Sequence, residues 1–176
     1  MGHQNVFASD VGKTCRRFME LVTRIPPDSI YNSIDERLDR AGHMQVDIYI
    51  GGFPCTPFSA QGKGDGELGK DGLIAFKMIA YVAITRPWSF VFENVAGLMH
   101  RHTDTLVKIL NSLLDIMDHS NGSSVYNISY SLMSTAGYGL PQHRERIYIV
   151  GIHKSIQKSV SFPARCGLQT IGDCDC

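Results

Sequence analysis

Three short segments hold the side chains whose types and spacing suit covalent chemistry. The first, Gly51-Gly52-Phe53-Pro54-Cys55-Thr56-Pro57-Phe58-Ser59, follows an apolar run, Val46-Asp47-Ile48-Tyr49-Ile50, that reads as a buried strand. Cys55 is therefore expected at the C-terminal edge of a sheet, where open α/β folds bind ligands. Pro54 and Pro57 fix φ and remove main-chain donors, which stiffens the loop. A thiol held that way suits a nucleophile, although a lone Cys in such a loop is more often a small buried hydrophobe. The second segment, Phe90-Val91-Phe92-Glu93-Asn94-Val95, ends an apolar strand-like run on an acid. Buried carboxylates are uncommon unless paired or functional; the plainer reading of Glu93 is a cap for the next segment of chain. The third is Gln142-His143-Arg144-Glu145-Arg146, which leads into Ile147-Tyr148-Ile149-Val150-Gly151. Arg144 and Arg146 point the same way if a strand begins there, so two guanidinium forks can converge on one oxygen or phosphate. For Arg-x-Arg alone, a solvated strand face of alternating charge is the plainer reading.

The elements that must position these residues are legible from hydrophobic period. Strand-like runs at Val6–Ser9, Asp47–Gly51 and Ser89–Glu93 alternate with helical patterns at Val11–Thr23, Leu73–Thr85 and Thr103–His119. The first helix keeps Cys15, Phe18, Met19 and Val22 on one stripe, and the third does so with Leu106, Ile109, Leu110, Leu113 and Leu114. Beyond Asn121-Gly122-Ser123-Ser124 the period becomes two, with Tyr126, Ile128, Tyr130 and Leu132 on one side. A last strand covers Arg146–Ile152 and should pair antiparallel with it. The expected fold class is α/β and Rossmann-like, a parallel sheet with an antiparallel C-terminal hairpin. Five glycines between Ala60 and Gly72 mark a mobile stretch suited to closing over a substrate. Gly64-Asp65-Gly66-Glu67-Leu68-Gly69 inside it fits a nucleotide-loop pattern by letter, but it follows no strand and carries two acids.

Composition excludes several classes. A chain of 176 residues forms one domain with a real core, and 43% apolar with 19% charged residues is ordinary for a globular protein. The net charge of zero gives no broad basic field for nucleic acid. Five cysteines and the polar start Met1-Gly2-His3-Gln4-Asn5 predict a reducing compartment and no secretion. The longest apolar stretch, Leu73 to Thr85, is too short to cross a bilayer and is interrupted by Lys77. His100-x-His102 and Cys166 with Cys174-Asp175-Cys176 lack paired zinc spacing, so no metal is expected.

Taken in order, the three segments resemble the DNA (cytosine-5) methyltransferase family. Pro54-Cys55 matches its nucleophile loop, Glu93-Asn94-Val95 its acid motif, and Gln142, Arg144 and Arg146 its Gln-x-Arg-x-Arg motif. The resemblance runs from about Asn5 to Ile152. It implies an S-adenosylmethionine-dependent methyltransferase fold, S-adenosylmethionine as methyl donor and a cytosine flipped out of double-stranded DNA as acceptor. It also implies catalytic roles for Cys55, Glu93, Arg144 and Arg146, and contacts to the target strand from Ser59 and Gln142. On the cofactor side it implies Asp10 at the ribose hydroxyls, Asn32 or Asp35 near the adenine, Gly52 and Pro54 by the methionine end, and Leu73 against the adenine. Asp10 also reads as a helix N-cap.

The family commonly has Gln after the nucleophile, where this chain has Thr56. Its glycine-rich Phe-x-Gly-x-Gly turn and its target-recognition domain have no counterpart here, so residues 1–152 are expected to be a partial catalytic domain. Residues 153–176 are expected as a tail without order. The alternatives are a tRNA-methylating member of the same family and a catalytically inactive fragment. The expected location is nuclear in a eukaryote and otherwise cytoplasmic.

Overall fold

The computed structural model describes residues 3–40, 45–54, 73–156 and 159–165. The element order is β1 (Ala8–Ser9), α1 (Lys13–Val22), β2 (Ile30–Tyr31), α2 (Ile34–Asp39), β3 (Ile48–Gly52), α3 (Leu73–Thr85), β4 (Ser89–Val95), α4 (Gly97–His100), α5 (Thr103–Leu114), β5 (Tyr126–Ser134) and β6 (Glu145–His153). Strand–helix alternation gives way to a strand pair at the C-terminal end, as the change from helical period to period two predicts.

Two sheets form. A four-stranded sheet has the order β3-β4-β6-β5, and a two-stranded sheet joins β1 and β2. β1 pairs parallel with β2, and β3 pairs parallel with β4. β6 runs antiparallel to both β4 and β5. The C-terminal hairpin thus continues the main sheet, with β6 inserted next to β4. β2 has no counterpart among the runs read from sequence, because two residues are too few to show a period. α5 stops at Leu114 and α1 at Val22, both shorter than their apolar patterns.

α3 and α5 cover one face of the larger sheet. Tyr49, Phe90, Phe92, Ile147 and Ile149 from the strands meet Ala75, Met78, Ile79 and Val82 of α3 and Leu106, Ile109 and Leu113 of α5 in one core. Gly151 keeps that layer thin, because a Cβ there would run into the ring of its register partner Phe90. The two sheets are tied together by a buried arginine. Arg37 of α2 is fully buried, lies 4.3 Å from the Phe7 ring centroid and 4.8 Å from that of Tyr81, and donates to the Tyr81 hydroxyl at 2.8 Å. A delocalised guanidinium is suited to such stacking, being less strongly hydrated than an ammonium.

Two sequence expectations require correction. β3 is not a fully buried strand: Tyr49 is buried, but Ile50 is 72% exposed and Ile48 is exposed as well. The sheet face opposite α3 and α5 leaves them in solvent. The amphipathic stripe of α1 likewise forms without being buried. Cys15, Phe18 and Val22 are exposed, and no residue of α1 is buried. Period fixes which residues share a face, whereas burial depends on what packs against that face.

Candidate active site

Alternation along β4 sends Phe90, Phe92 and Asn94 into the core and Val91, Glu93 and Val95 to the opposite face. On that face Arg146 of β6 pairs in register with Val95, and Glu93 pairs with Tyr148. Glu93 and Arg146 are therefore diagonal neighbours, within reach of long side chains. Arg146 Nε donates to Glu93 Oε1 at 2.8 Å, with side-chain exposures of 21% and 36%. Arg144 lies two residues earlier, just before β6. Both arginines and Glu93 line a cleft of about 440 Å³, walled also by Thr135, Tyr138, Tyr148 and Phe162. Arg146 is turned to Glu93, while Arg144 contributes to the same wall.

The turn that carries Thr135 and Tyr138 shapes the rim. Gly139 adopts φ 83°, the left-handed conformation that favours glycine. The Arg144 main-chain N–H donates to Thr135 Oγ1 at 3.2 Å, and the Thr135 hydroxyl donates to the Gln142 carbonyl. Gln142 does not line the cleft; it is exposed and holds the turn through its main chain. The segment 159–165 crosses back over the rim. Its Phe162 enters the cleft wall, and Tyr138 Oη donates to the Pro163 carbonyl at 3.1 Å.

A second cleft, of about 770 Å³, lies between β1 and β3. Asp10, Gly52 and Pro54 line it. Asp10 Oδ1 accepts from the Gly12 N–H at 2.6 Å, so this carboxylate also orders the entry to α1. Asn32 and Leu73 do not line this cleft. Asn32 donates through its main chain and side chain to Glu36 Oε2 at 2.8 and 3.0 Å, and neighbouring Ser33 and Ile34 line the cleft in its place. Those same bonds hold the Glu36 carboxyl below its ordinary range. Leu73 is half exposed at the start of α3, and Ile74 faces the cleft.

The two clefts meet at Gly52. It is the register partner of Glu93, and a Cβ on it would stand 3.2 Å from Glu93 Oε2. Past it, Asn94 Nδ2 donates to the Phe53 carbonyl at 3.2 Å, and the Asn94 side chain is buried. Asn94 thus fixes the start of the loop toward Cys55. Its role is missed by reading chemistry alone; a polar residue at an inward strand position was the available signal. Cys55, Ser59 and the glycine-rich stretch Ala60–Gly72 lie outside the described residues, as do Cys166, Cys174 and Cys176.

The donors of the second cleft suit S-adenosylmethionine. A carboxylate at a strand's C-terminal end matches a ribose diol, and Met19, Ile34 and Ile74 offer apolar surface for a purine. Among the described residues there is no cluster of metal-ligating side chains, and no helix is long and apolar enough to cross a membrane.

Comparison with known proteins places the chain in a family. The family model for C-5 cytosine-specific DNA methylase matches residues 1–170. The chain is 34% identical over 150 residues to type II methyltransferase M.HaeII of Haemophilus aegyptius, which covers 85% of this chain and 44% of that protein. It is 34% identical over 155 residues to type II methyltransferase M.NgoBI of Neisseria gonorrhoeae, covering 88% and 45%. The chain thus spans under half the length of these relatives. Among solved structures, the S. pombe Dnmt2 methyltransferase superposes with a TM-score of 0.65 at 14% identity, over 98% of this chain and 51% of that one. That likeness shows the fold, an incomplete Rossmann-like methyltransferase sheet. With the family model matching nearly the whole chain, the chain belongs to the C-5 cytosine-specific DNA methylase family.

Proposed function

We propose that this chain carries the catalytic centre for methylation of cytosine C5 in double-stranded DNA, through a transient bond between Cys55 and the ring. The observation that carries this reading is the Glu93–Arg146 pair at 2.8 Å in a cleft that touches Gly52 of the cofactor side. C5 of cytosine is a weak nucleophile until C6 is substituted. The Cys55 thiolate adds to C6, and Glu93 delivers a proton to N3 as charge develops on the ring. Arg146 holds the Glu93 carboxyl in place, and Arg144 offers its guanidinium to the ring O2 and the adjacent backbone. S-adenosylmethionine, when bound against Asp10, Gly52 and Pro54, supplies the methyl group. The C5 proton then leaves to solvent, the C5–C6 double bond re-forms, Cys55 departs as thiolate and N3 returns its proton to Glu93. The base must leave the stack for this chemistry, and Ser59 and Gln142 are assigned to the strand around it. The protein acts in the compartment that holds DNA.

The test is covalent trapping on a duplex carrying 5-fluorocytosine, where fluorine blocks the final elimination. An adduct that needs S-adenosylmethionine and is lost in Cys55→Ala supports the reading. An adduct only on RNA, or one that survives Cys55→Ala, overturns it.

A further inference from the structure

The start of α1 carries charge that the helix itself has no use for. Lys13, Arg16 and Arg17 stand in its first two turns, and its first turn holds no acid. The positive end of a helix dipole disfavours cations there. Two of the three are surface groups: Lys13 is exposed, and exposed Arg17 pairs with Glu20 at 2.7 Å. Arg16 differs. It is half-buried, and its Nη1 reaches back past the helix start to donate to the Asp10 carbonyl at 2.7 Å.

That bond completes the fixing of Asp10. The Asp10 main-chain N–H donates to the Tyr31 carbonyl of β2 at 3.2 Å, and Oδ1 accepts from the Gly12 N–H at 2.6 Å. Main chain and one carboxylate oxygen are thus held from three directions, while Oδ2 takes no hydrogen bond from any described residue. A carboxylate with one oxygen anchored and the other open is set before a ligand arrives, so little ordering cost is left for binding. The bond from Arg16 is charge-assisted, the stronger kind.

Arg16 also acts on the adenine side of the cleft. The Glu36 carboxyl of α2 is held below its ordinary range first by the two Asn32 bonds and then by the charges of Arg40 and Arg16. The Asn32 bonds order the chain that leads into Ser33 and Ile34, both of which line the cleft. One guanidinium is therefore linked to both parts, to Asp10 by a hydrogen bond and to the 32–34 segment through Glu36.

We infer that Arg16 is a positioning residue for the cofactor: it sets the Asp10 carboxylate for the ribose hydroxyls and, through Glu36, steadies residues 32–34 beside the purine. This rests on the cofactor reading of the larger cleft.

The experiment uses the 176-residue chain, S-adenosylmethionine and an analogue without the two ribose hydroxyls, with binding followed by calorimetry. Arg16→Ala is expected to weaken S-adenosylmethionine by about tenfold or more and the analogue by clearly less. Arg16→Lys should fall in between, since an ammonium meets the carbonyl with one donor but lacks the planar fork. Without any ligand, amide exchange in Arg16→Ala should quicken at Asp10, Gly12 and Asn32 and stay unchanged in β4, a pattern that a general loss of stability does not give. Equal losses on both ligands, or faster exchange throughout the larger sheet, overturn the inference. If the unaltered chain binds the cofactor and Asp10→Asn weakens it while Arg16→Ala does not, the inference fails and the cofactor reading stands. No binding by the unaltered chain overturns both.

Discussion

Gly52 and Glu93 are register partners on adjacent parallel strands, and the space above Gly52 is taken by the Glu93 carboxylate, 3.2 Å from where a Cβ would stand. One residue thus belongs to the cofactor-side cleft by its main chain and to the acid's surroundings by its lack of a side chain. Replacing it by alanine pushes Oε2 away from its position. Gly52→Ala is expected to slow adduct formation on a 5-fluorocytosine duplex by about tenfold or more, the sensitivity of a general acid to small misplacement. Thermal unfolding should change little, because the displaced group is a half-exposed side chain. An unaltered rate would show that Glu93 is not positioned by this contact.

The diagonal ion pair makes a second prediction. Arg146→Ala and Glu93→Gln should each reduce the trapping rate by about 10²-fold, as loss of one preorganised electrostatic group does. Because the two side chains act as one unit, the double substitution should cost much less than the product of the singles. Arg146→Lys should recover only part of the rate, since an ammonium cannot reproduce the planar Nε contact. Additive losses measured in the cycle would separate the two roles.

Asn94 acts through the chain it holds. Asn94→Ala removes the bond to the Phe53 carbonyl and is expected to lower unfolding free energy by about 1–3 kcal/mol. The trapping rate at a temperature where the variant is fully folded should fall as well, because Phe53-Pro54 lead directly into Cys55. Equilibrium denaturation and trapping on the same sample check both parts.

The two strand glycines that face the core should differ in cost. A Cβ on Gly151 meets the ring of Phe90, itself fully buried and packed 4.9 Å from Phe92 and 5.2 Å from Tyr126. A Cβ on Gly51 meets the terminal methyl of Met78, which swings aside. Gly151→Ala is expected to destabilise by about 1–3 kcal/mol and Gly51→Ala by clearly less. Urea midpoints of the two variants decide it.

Burial also sets a pH limit. It pushes the phenols of Tyr49, Tyr81 and Tyr126 above their ordinary value of 10.0. The folded state then keeps protons that the unfolded chain releases, so stability is complete below pH 10.0 and falls as pH rises past it. Denaturation midpoints measured between about pH 8 and pH 11 should show this decline. Tyr49→Phe should make the decline shallower; an unchanged slope would place its origin in other groups.

The sequence by itself determined which residue types stand at strand ends and which residues share a face. The places of Pro54, Glu93 and Arg144 with Arg146 were legible because each abuts a run of strand period, and period two fixes direction. The helix at Leu73–Thr85 and the hairpin partners of β5 and β6 were legible for the same reason. Tertiary structure alone decided that Glu93 meets Arg146, since that contact depends on the β4–β6 register and no local pattern encodes register between strands some fifty residues apart. It decided that Ile50 and the stripe of α1 stay in solvent, that Asn32 turns to Glu36, and that Gln142 supports a turn. Burial and contact are properties of pairs of surfaces, and a sequence read one segment at a time carries only one member of each pair.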